Sequence, residues 1–179
     1  MADAKLTGKR VLMVIPHTQF RDEEFFEPKK IFESEGAAVT VASTTVRTCH
    51  GTQGGTIPSQ VAIADAKAED FDAIVLCGGP STPEFLWNDK KLPELAAAMS
   101  AAGKVVAAIS LATVVLAKAK LLEGKKATVY FLPQAIQELK TGGATYVSAP
   151  LVVQEKLILA EGPTESVRFG QAISTALSS

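Results

Sequence analysis

The chain has too little of several things to fall into whole classes of protein. Two cysteines in 179 residues do not make a disulfide framework. Cys49 and Cys77 sit in quite different stretches, and both read as reduced thiols. Two histidines leave little for a zinc site, and the neighbouring pair Cys49-His50 falls short of one; no metal is expected. No apolar run approaches the ~20 residues that cross a bilayer, and Met1 to Arg10 is polar and charged. A cytoplasmic protein without a membrane partner is the expectation. Eighteen basic residues stand against nineteen acidic ones and are scattered, which gives no footing for a nucleic acid partner held by charge. There is no P-loop, and Gly78-Gly79-Pro80 lacks the three-glycine spacing of a dinucleotide fingerprint, so no cofactor is expected.

What is present is a hydrophobic content of 47%, enough for one ordinary domain over residues 1–179. Arg10 to Pro16 is a continuous apolar run closed by proline, as a strand buried on both faces reads. After a polar loop, Asp22 is placed to cap a helix carrying Phe25, Phe26, Ile31 and Phe32 and ended by Gly36. A strand over Ala37–Ser43 follows, then an irregular hairpin excursion over Thr44–Ile63. Phe71–Cys77 is the next buried strand. A helix over Lys91–Ala102 leads to a strand over Lys104–Ile109, which passes with no linker into a helix over Leu111–Leu122. Beyond it the pattern predicts a strand at Ala127–Tyr130, a helix at Pro133–Thr141, and short strands near Ala144–Ser148, Leu151–Gln154 and Leu157–Ala160. A last helix spans Pro163–Ala176, with proline at its first turn. This alternation predicts an α/β fold with a doubly wound, mostly parallel sheet and helices on both faces.

In such a sheet, ligands bind beyond the carboxyl ends of the strands. Ser110 ends a buried strand that runs straight into a helix, with Ala108 and Ala112 two positions away on either side. A nucleophile elbow needs small neighbours because its turn is tight and pushes the central side chain into the cleft. The competing reading is that Ser110 is the N-cap of the following helix. Gly78 and Gly79 let the backbone approach a ligand and aim amides at it, as an oxyanion site requires, or simply make a tight turn. Glu24, near the start of the first helix, either points its carboxyl at the elbow or sits in water and favours the helix dipole. His17 follows the first strand and is a candidate to face the cleft, whereas His50 reads as a surface or interface residue. Cys77 is either a pocket thiol or a buried small hydrophobe. Phe85, Leu86 and Trp87 follow the glycine turn and wall the pocket, pack at a subunit contact or, as the preferred reading, enter the core.

The segments DEEFFEP (22–28), FDAIVLCGGPSTPEFLWND (71–89), VVAAISLATVVLAKAKLLEGKKAT (105–128) and EGPTESVRFGQAI (161–173), in that order and spacing, resemble the ThiJ/PfpI family. That family includes intracellular protease-like proteins, the Parkinsonism-associated protein and glyoxalase or deglycase relatives. The resemblance covers nearly the whole chain and implies a flavodoxin-like fold with a nucleophile elbow. It also implies a small carbonyl or acyl substrate, a stress-related role and a homo-oligomer. By it, Ser110 occupies the nucleophilic cysteine position, Glu24 the partner carboxyl position, and the amides of Gly79 and Leu111 the oxyanion-binding positions.

The chain departs from this pattern at the reacting atom. A cysteine beside a protonated glutamic acid ionises to a strong nucleophile near neutral pH. A serine hydroxyl does not, and needs a general base. Many relatives carry histidine directly after the cysteine, where this chain has Leu111; His17 is the remaining candidate base. Natural loss of the cysteine and its deliberate silencing would leave the same serine. The expectation is a protein weak or inactive in cysteine-type chemistry, with a non-catalytic metabolite-binding protein as the alternative.

Overall fold

An apolar run that is hydrophobic at every position has to be covered on both sides. In the computed structural model, which describes residues 4–179 and so leaves Met1–Asp3 of the expected domain outside the described residues, helices do this on two faces of one sheet. In chain order the elements are β1 (Arg10–Val14), β2 (Thr18–Phe20), α1 (Asp22–Ser34), β3 (Ala38–Ser43), β4 (Thr48–Gly51), β5 (Thr56–Pro58), β6 (Val61–Ala62), β7 (Ala73–Leu76), α2 (Thr82–Phe85), α3 (Lys91–Ala101), β8 (Val105–Ile109), α4 (Thr113–Lys118), β9 (Lys126–Ala127), α5 (Pro133–Thr141), β10 (Thr145–Tyr146), β11 (Leu151–Gln154), β12 (Leu157–Ala160) and α6 (Ser166–Ser178).

The seven-stranded sheet has the order β11-β12-β8-β7-β1-β3-β6. Every pairing in it is parallel except that of the edge strand β11 with β12. Alternate residues of each strand enter opposite cores. Leu12, Val14, Ile74, Leu76, Val106 and Ala108 pack with α3, α4 and α5. Val11, Met13, Val75, Ala107 and Ile109 pack with Phe25 and Phe32 of α1 and Phe169, Ile173 and Leu177 of α6. The chain proceeds from β1 to β3 on one side and from β7 to β8 and β12 on the other. The strand order therefore reverses beside β1, and that reversal opens a crevice at the carboxyl ends of β1, β7 and β8.

Several expected elements are changed by local bonding. The Thr44–Ile63 excursion contains the β4–β5 hairpin, which pairs with β2 in a separate small sheet; β2 lies in what read as a polar loop. Asp22 is not a cap: it is the first helical residue, and the flanking Arg21 makes no side-chain cap bond. The Asp22 carboxylate instead accepts the amides of Gln53 at 2.9 Å and Gly55 at 2.8 Å, tying the hairpin tip to the start of α1. The predicted strand over Ala127–Tyr130 is met only at Ala127, the last residue of the two-residue β9, and the next residue, Thr128, donates its hydroxyl to the Ala149 carbonyl at 2.8 Å. The chain then leaves the small β9–β10 pair with Tyr130 and Phe131 exposed. The helix expected from Leu111 begins as a tight 3-10 turn at Ser110–Ala112 and ends at Lys118, and Pro163 opens a 3-10 turn ahead of α6.

The helix that carries Glu24 is seated closely on α6. Pro28 lies inside α1 and cannot supply the amide hydrogen that would bond the Glu24 carbonyl one turn back. Gly170 of α6 meets it there: a Cβ on Gly170 would stand 3.0 Å from the Pro28 Cα and 2.8 Å from the Ile31 Cδ1. Glycine is the residue that lets these two backbones approach. Gly170→Val is expected to lower stability by about 1–3 kcal/mol through overpacking, read as a lower urea midpoint at unchanged slope. A midpoint equal to that of the parent protein would refute the close seating.

Candidate functional site

The elbow is built by backbone first. Ile109 ends β8 in extended conformation, and Ser110 then adopts φ of 63°, a left-handed value uncommon outside glycine. An N-cap residue has extended backbone and bonds an amide of the first helical turn. Ser110 does neither, so the strand-to-helix turn is an elbow and the cap reading falls. Ala108 and Ala112 on either side are completely buried, where larger side chains would have no room. Trp87 donates its indole N–H to the Leu111 carbonyl at 2.8 Å, which holds the turn against the core beneath. Trp87 and Leu86 are core residues, as read from the sequence.

The glycine pair closes the other side. Gly79 has φ of 138°, and a Cβ there would lie 2.3 Å from the Gln19 carbonyl oxygen. At Gly78 it would lie 2.9 Å from Glu24 Oε1 and 3.2 Å from the Leu111 nitrogen. Both positions therefore exclude any side chain. The Gly78 amide donates to Glu24 Oε1 at 2.9 Å, and the Gly78 carbonyl accepts from the Arg21 amide at 2.9 Å. These bonds draw the start of α1 against the ends of β7 and β8.

Glu24 is 1% exposed. Burial drives its pKa from an ordinary 4.5 up to about 7, against the opposing pull of the Gly78 amide, the Ser110 hydroxyl and the Arg21 guanidinium, and with help from Glu23. Near neutral pH this carboxyl is thus divided between its acid and its anion. Arg21 is held in turn by Glu23, whose carboxylate accepts its Nε at 2.9 Å.

These groups open onto a cavity of about 370 Å³. Its lining is Arg21, Glu24, Gly79, Ser110 and Leu111 together with Pro80, Tyr130, Leu132 and Pro163. Arg21, Pro80, Tyr130, Leu132 and Pro163 are not among the candidates the sequence offers. Arg21 lies in the polar loop after the first strand, Tyr130 falls in an expected strand and Pro163 in an expected helix, and only the three-dimensional course of those segments reveals them. A smaller cleft of about 150 Å³ lies among Lys104, Lys125 and Lys156 at the opposite strand ends. There Lys104 and Lys156 donate to the carbonyls of Ala68 and Gly103, so two of its cations are already engaged.

Three sequence candidates are not on the wall of this cavity. Gly78 is one, because its amide is taken up by Glu24 and is not offered to an oxyanion. His17 is another. Its Nδ1 lies 3.4 Å from the Thr44 hydroxyl and its ring meets Phe85 edge-on at 4.2 Å. Partial burial and the nearby Arg47 hold its pKa below the usual value, against Glu84. Cys77 is fully buried in the core that faces α1 and α6, and burial together with the nearby Glu24 pushes its thiol well up. It is the small hydrophobe of the two readings. Cys49 is likewise buried, while His50 is exposed. Among the described residues no cluster of three or more His, Cys, Asp or Glu could hold a metal ion. No helix among them is long and apolar enough to cross a membrane.

Comparison with known proteins fits this geometry. An uncharacterized protein of Methanocaldococcus jannaschii is 46% identical over 96% of this chain and 84% of its own length. A protein of Pyrococcus abyssi named a deglycase is 30% identical over 85% of this chain and 90% of its own. The crystal structure of a ThiJ/PfpI domain protein from Brachyspira murdochii superposes with a TM-score of 0.89 at 35% identity, over 95% of this chain and 98% of that one. Residues 9–176 match the model of the DJ-1/PfpI family. Because that match runs from β1 into α6 and takes in both the elbow and the carboxyl facing it, the chain belongs to the DJ-1/PfpI family.

Proposed function

We propose that this protein keeps the pocket of a DJ-1/PfpI enzyme for small reactive carbonyl or acyl compounds, with its nucleophilic atom changed from sulfur to oxygen. Cysteine-type turnover is accordingly low. The observation that carries this reading is the juxtaposition of Ser110, on its elbow, with the buried Glu24 carboxyl at the floor of a cavity of about 370 Å³. The deglycase among the relatives supports small carbonyl compounds as the substrate class. In a cysteine relative the acid form of such a glutamate would donate a hydrogen bond to the sulfur and favour the thiolate. A hydroxyl is far less acidic, and the same hydrogen bond does not ionise it. A second reading, a binding protein that keeps the pocket without the chemistry, is favoured by one observation: the nearest candidate histidine base, His17, is engaged with Thr44 and Phe85 away from the cavity wall.

The two readings separate at one atom. Ser110→Cys is expected to raise methylglyoxal consumption by on the order of a hundredfold, the scale of a well-placed proton partner, and to make the protein sensitive to thiol alkylation, with a covalent adduct seen by intact mass. No gain with any small aldehyde or ester would favour the binding protein.

The buried carboxyl also ties stability to pH. A group whose folded pKa lies above its unfolded value contributes stability that is complete below the unfolded value and is lost as pH rises through the folded one. With Glu24 moved from 4.5 to about 7, the parent protein should lose about 3 kcal/mol relative to Glu24→Gln across that window, with no further relative change at higher pH. Urea titrations of both proteins at a series of pH values measure this. Parallel stability curves would show that Glu24 ionises freely.

A further inference from the structure

A guanidinium whose N–H groups are not all taken up inside a protein is a ready partner for a carboxylate, because its planar fork matches the two oxygens of that ion. Arg21 is such a group. Among the described residues it is the one cation in the lining of the cavity that Ser110 opens onto, and its side chain is 37% exposed, open enough for a ligand to reach. Glu23 engages only part of it. One carboxylate oxygen of Glu23 accepts from the Arg21 Nε at 2.9 Å, while the other, Oε1, has no partner among the described residues. The pair is therefore one-pronged, and neither Nη nitrogen of Arg21 donates to a described residue.

The backbone fixes where this cation stands. The peptide joining Phe20 to Arg21 is anchored at both ends: its oxygen accepts the Thr52 amide at 2.9 Å and its nitrogen donates to the Gly78 carbonyl at 2.9 Å. Gln19, two residues before Arg21, has φ of 52°, a left-handed value uncommon outside glycine. This bend brings the chain onto the glycine turn, where a Cβ on Gly79 would stand 2.8 Å from the Arg21 nitrogen. A backbone outlier held by its surroundings on a cavity rim marks a positioned group. With the peptide anchored and Nε clasped by Glu23, little freedom is left for Arg21 to lose when a ligand binds.

The rest of the lining includes apolar surface at Pro80, Leu111, Leu132 and Pro163, which keeps water from weakening a charge contact. A neutral carbonyl compound leaves the cation in this setting unmatched. We infer that Arg21 makes this a pocket for small oxo acids, carbonyl compounds that carry a carboxylate, with the carboxylate on the Arg21 Nη groups and the carbonyl turned toward Ser110. The inference rests on the reading of the cavity as a carbonyl pocket and adds the charge of its ligand. Glu24 shares the cavity and, being divided between acid and anion near neutral pH, can present its neutral form to an incoming carboxylate.

Nitrogen-15 NMR of the intact protein, titrated with pyruvate or levulinate and with the neutral amide of each, is the test. The Gly79 and Leu111 amides and the Arg21 Nε–H should shift with the acids. At least one acid should bind on the order of tenfold or more tighter than its amide, the scale of a hydrogen bond between charged groups. Arg21→Gln should bind acid and amide alike. Arg21→Lys should recover part of the preference, since lysine keeps the charge without the planar fork; melting temperatures show that both variants are folded. Acid and amide bound equally by the parent protein, or a preference that survives in Arg21→Gln, would overturn the inference. So would acetate or inorganic phosphate bound as tightly as the oxo acids, the mark of a bare anion site. If only the amides bind, or Ser110→Cys consumes methylglyoxal while the acids leave the parent protein unshifted, the charge assignment fails and the carbonyl pocket stands. If no compound shifts the Gly79 or Leu111 amide and Ser110→Cys gains nothing, both fail.

Discussion

The hydrogen bond from the Gly78 amide to the buried Glu24 carboxyl is the contact on which the site depends. It joins the start of α1 to the end of β7, two elements separated by more than fifty residues of chain. It also supplies the one polar partner of good geometry that a nearly inaccessible carboxyl has among the described residues. A buried carboxyl without partners is driven hard toward its neutral form. A carboxyl held by several strong donors stays anionic. One amide, a hydroxyl and a guanidinium at longer range leave Glu24 between these limits, and this is why its pKa comes to rest near neutrality. The same contact forbids a side chain at position 78, since a Cβ would press on the carboxyl oxygen it serves.

Around that bond the fold provides rigidity rather than chemistry. The parallel strands place three chain reversals at one edge of the crevice, and each reversal is stiffened from below. Trp87 holds Leu111, Asp22 holds the β4–β5 tip, and Ser81 donates its hydroxyl to the Thr18 carbonyl. Gly170 lets α1 sit directly on α6, so the helix bearing Glu24 cannot drift from the sheet. On the proposed reading, oxygen in place of sulfur at the elbow changes the acid–base demand made on Glu24. A thiolate asks its neighbour for a proton in a hydrogen bond; an attacking hydroxyl asks it to take one away.

Much of this was legible in the sequence because buried parallel strands carry an unbroken apolar signal. Arg10–Pro16, Phe71–Cys77 and Lys104–Ile109 are found for that reason, whereas the two-residue offsets of Ala108 and Ala112 leave elbow and N-cap both open until the positive φ of Ser110 separates them. Glu24 and Ser110 were paired by resemblance, since nothing local tells a glutamate on a first helical turn that it faces inward. The misreadings share a cause. Asp22 looks like a cap, and Thr128 looks like a strand residue, yet each spends its side chain on a distant backbone group, Asp22 at the hairpin and Thr128 at Ala149. Tertiary partners of that kind outweigh local preference and leave no periodic trace. The outer wall of the cavity, from Tyr130 to Leu132 and at Pro163, was hidden for the same reason.

The central claim is that one buried carboxyl beside Ser110 titrates near neutral pH, and it is tested most directly by carbon-13 NMR of protein labelled at glutamate side-chain carboxyls, with Glu24→Gln used to assign the Glu24 resonance. The account predicts a carboxyl that titrates near pH 7 in the parent protein and is missing from Glu24→Gln. A Glu24 resonance that moves with the exposed glutamates, around the ordinary value of 4.5, would contradict it.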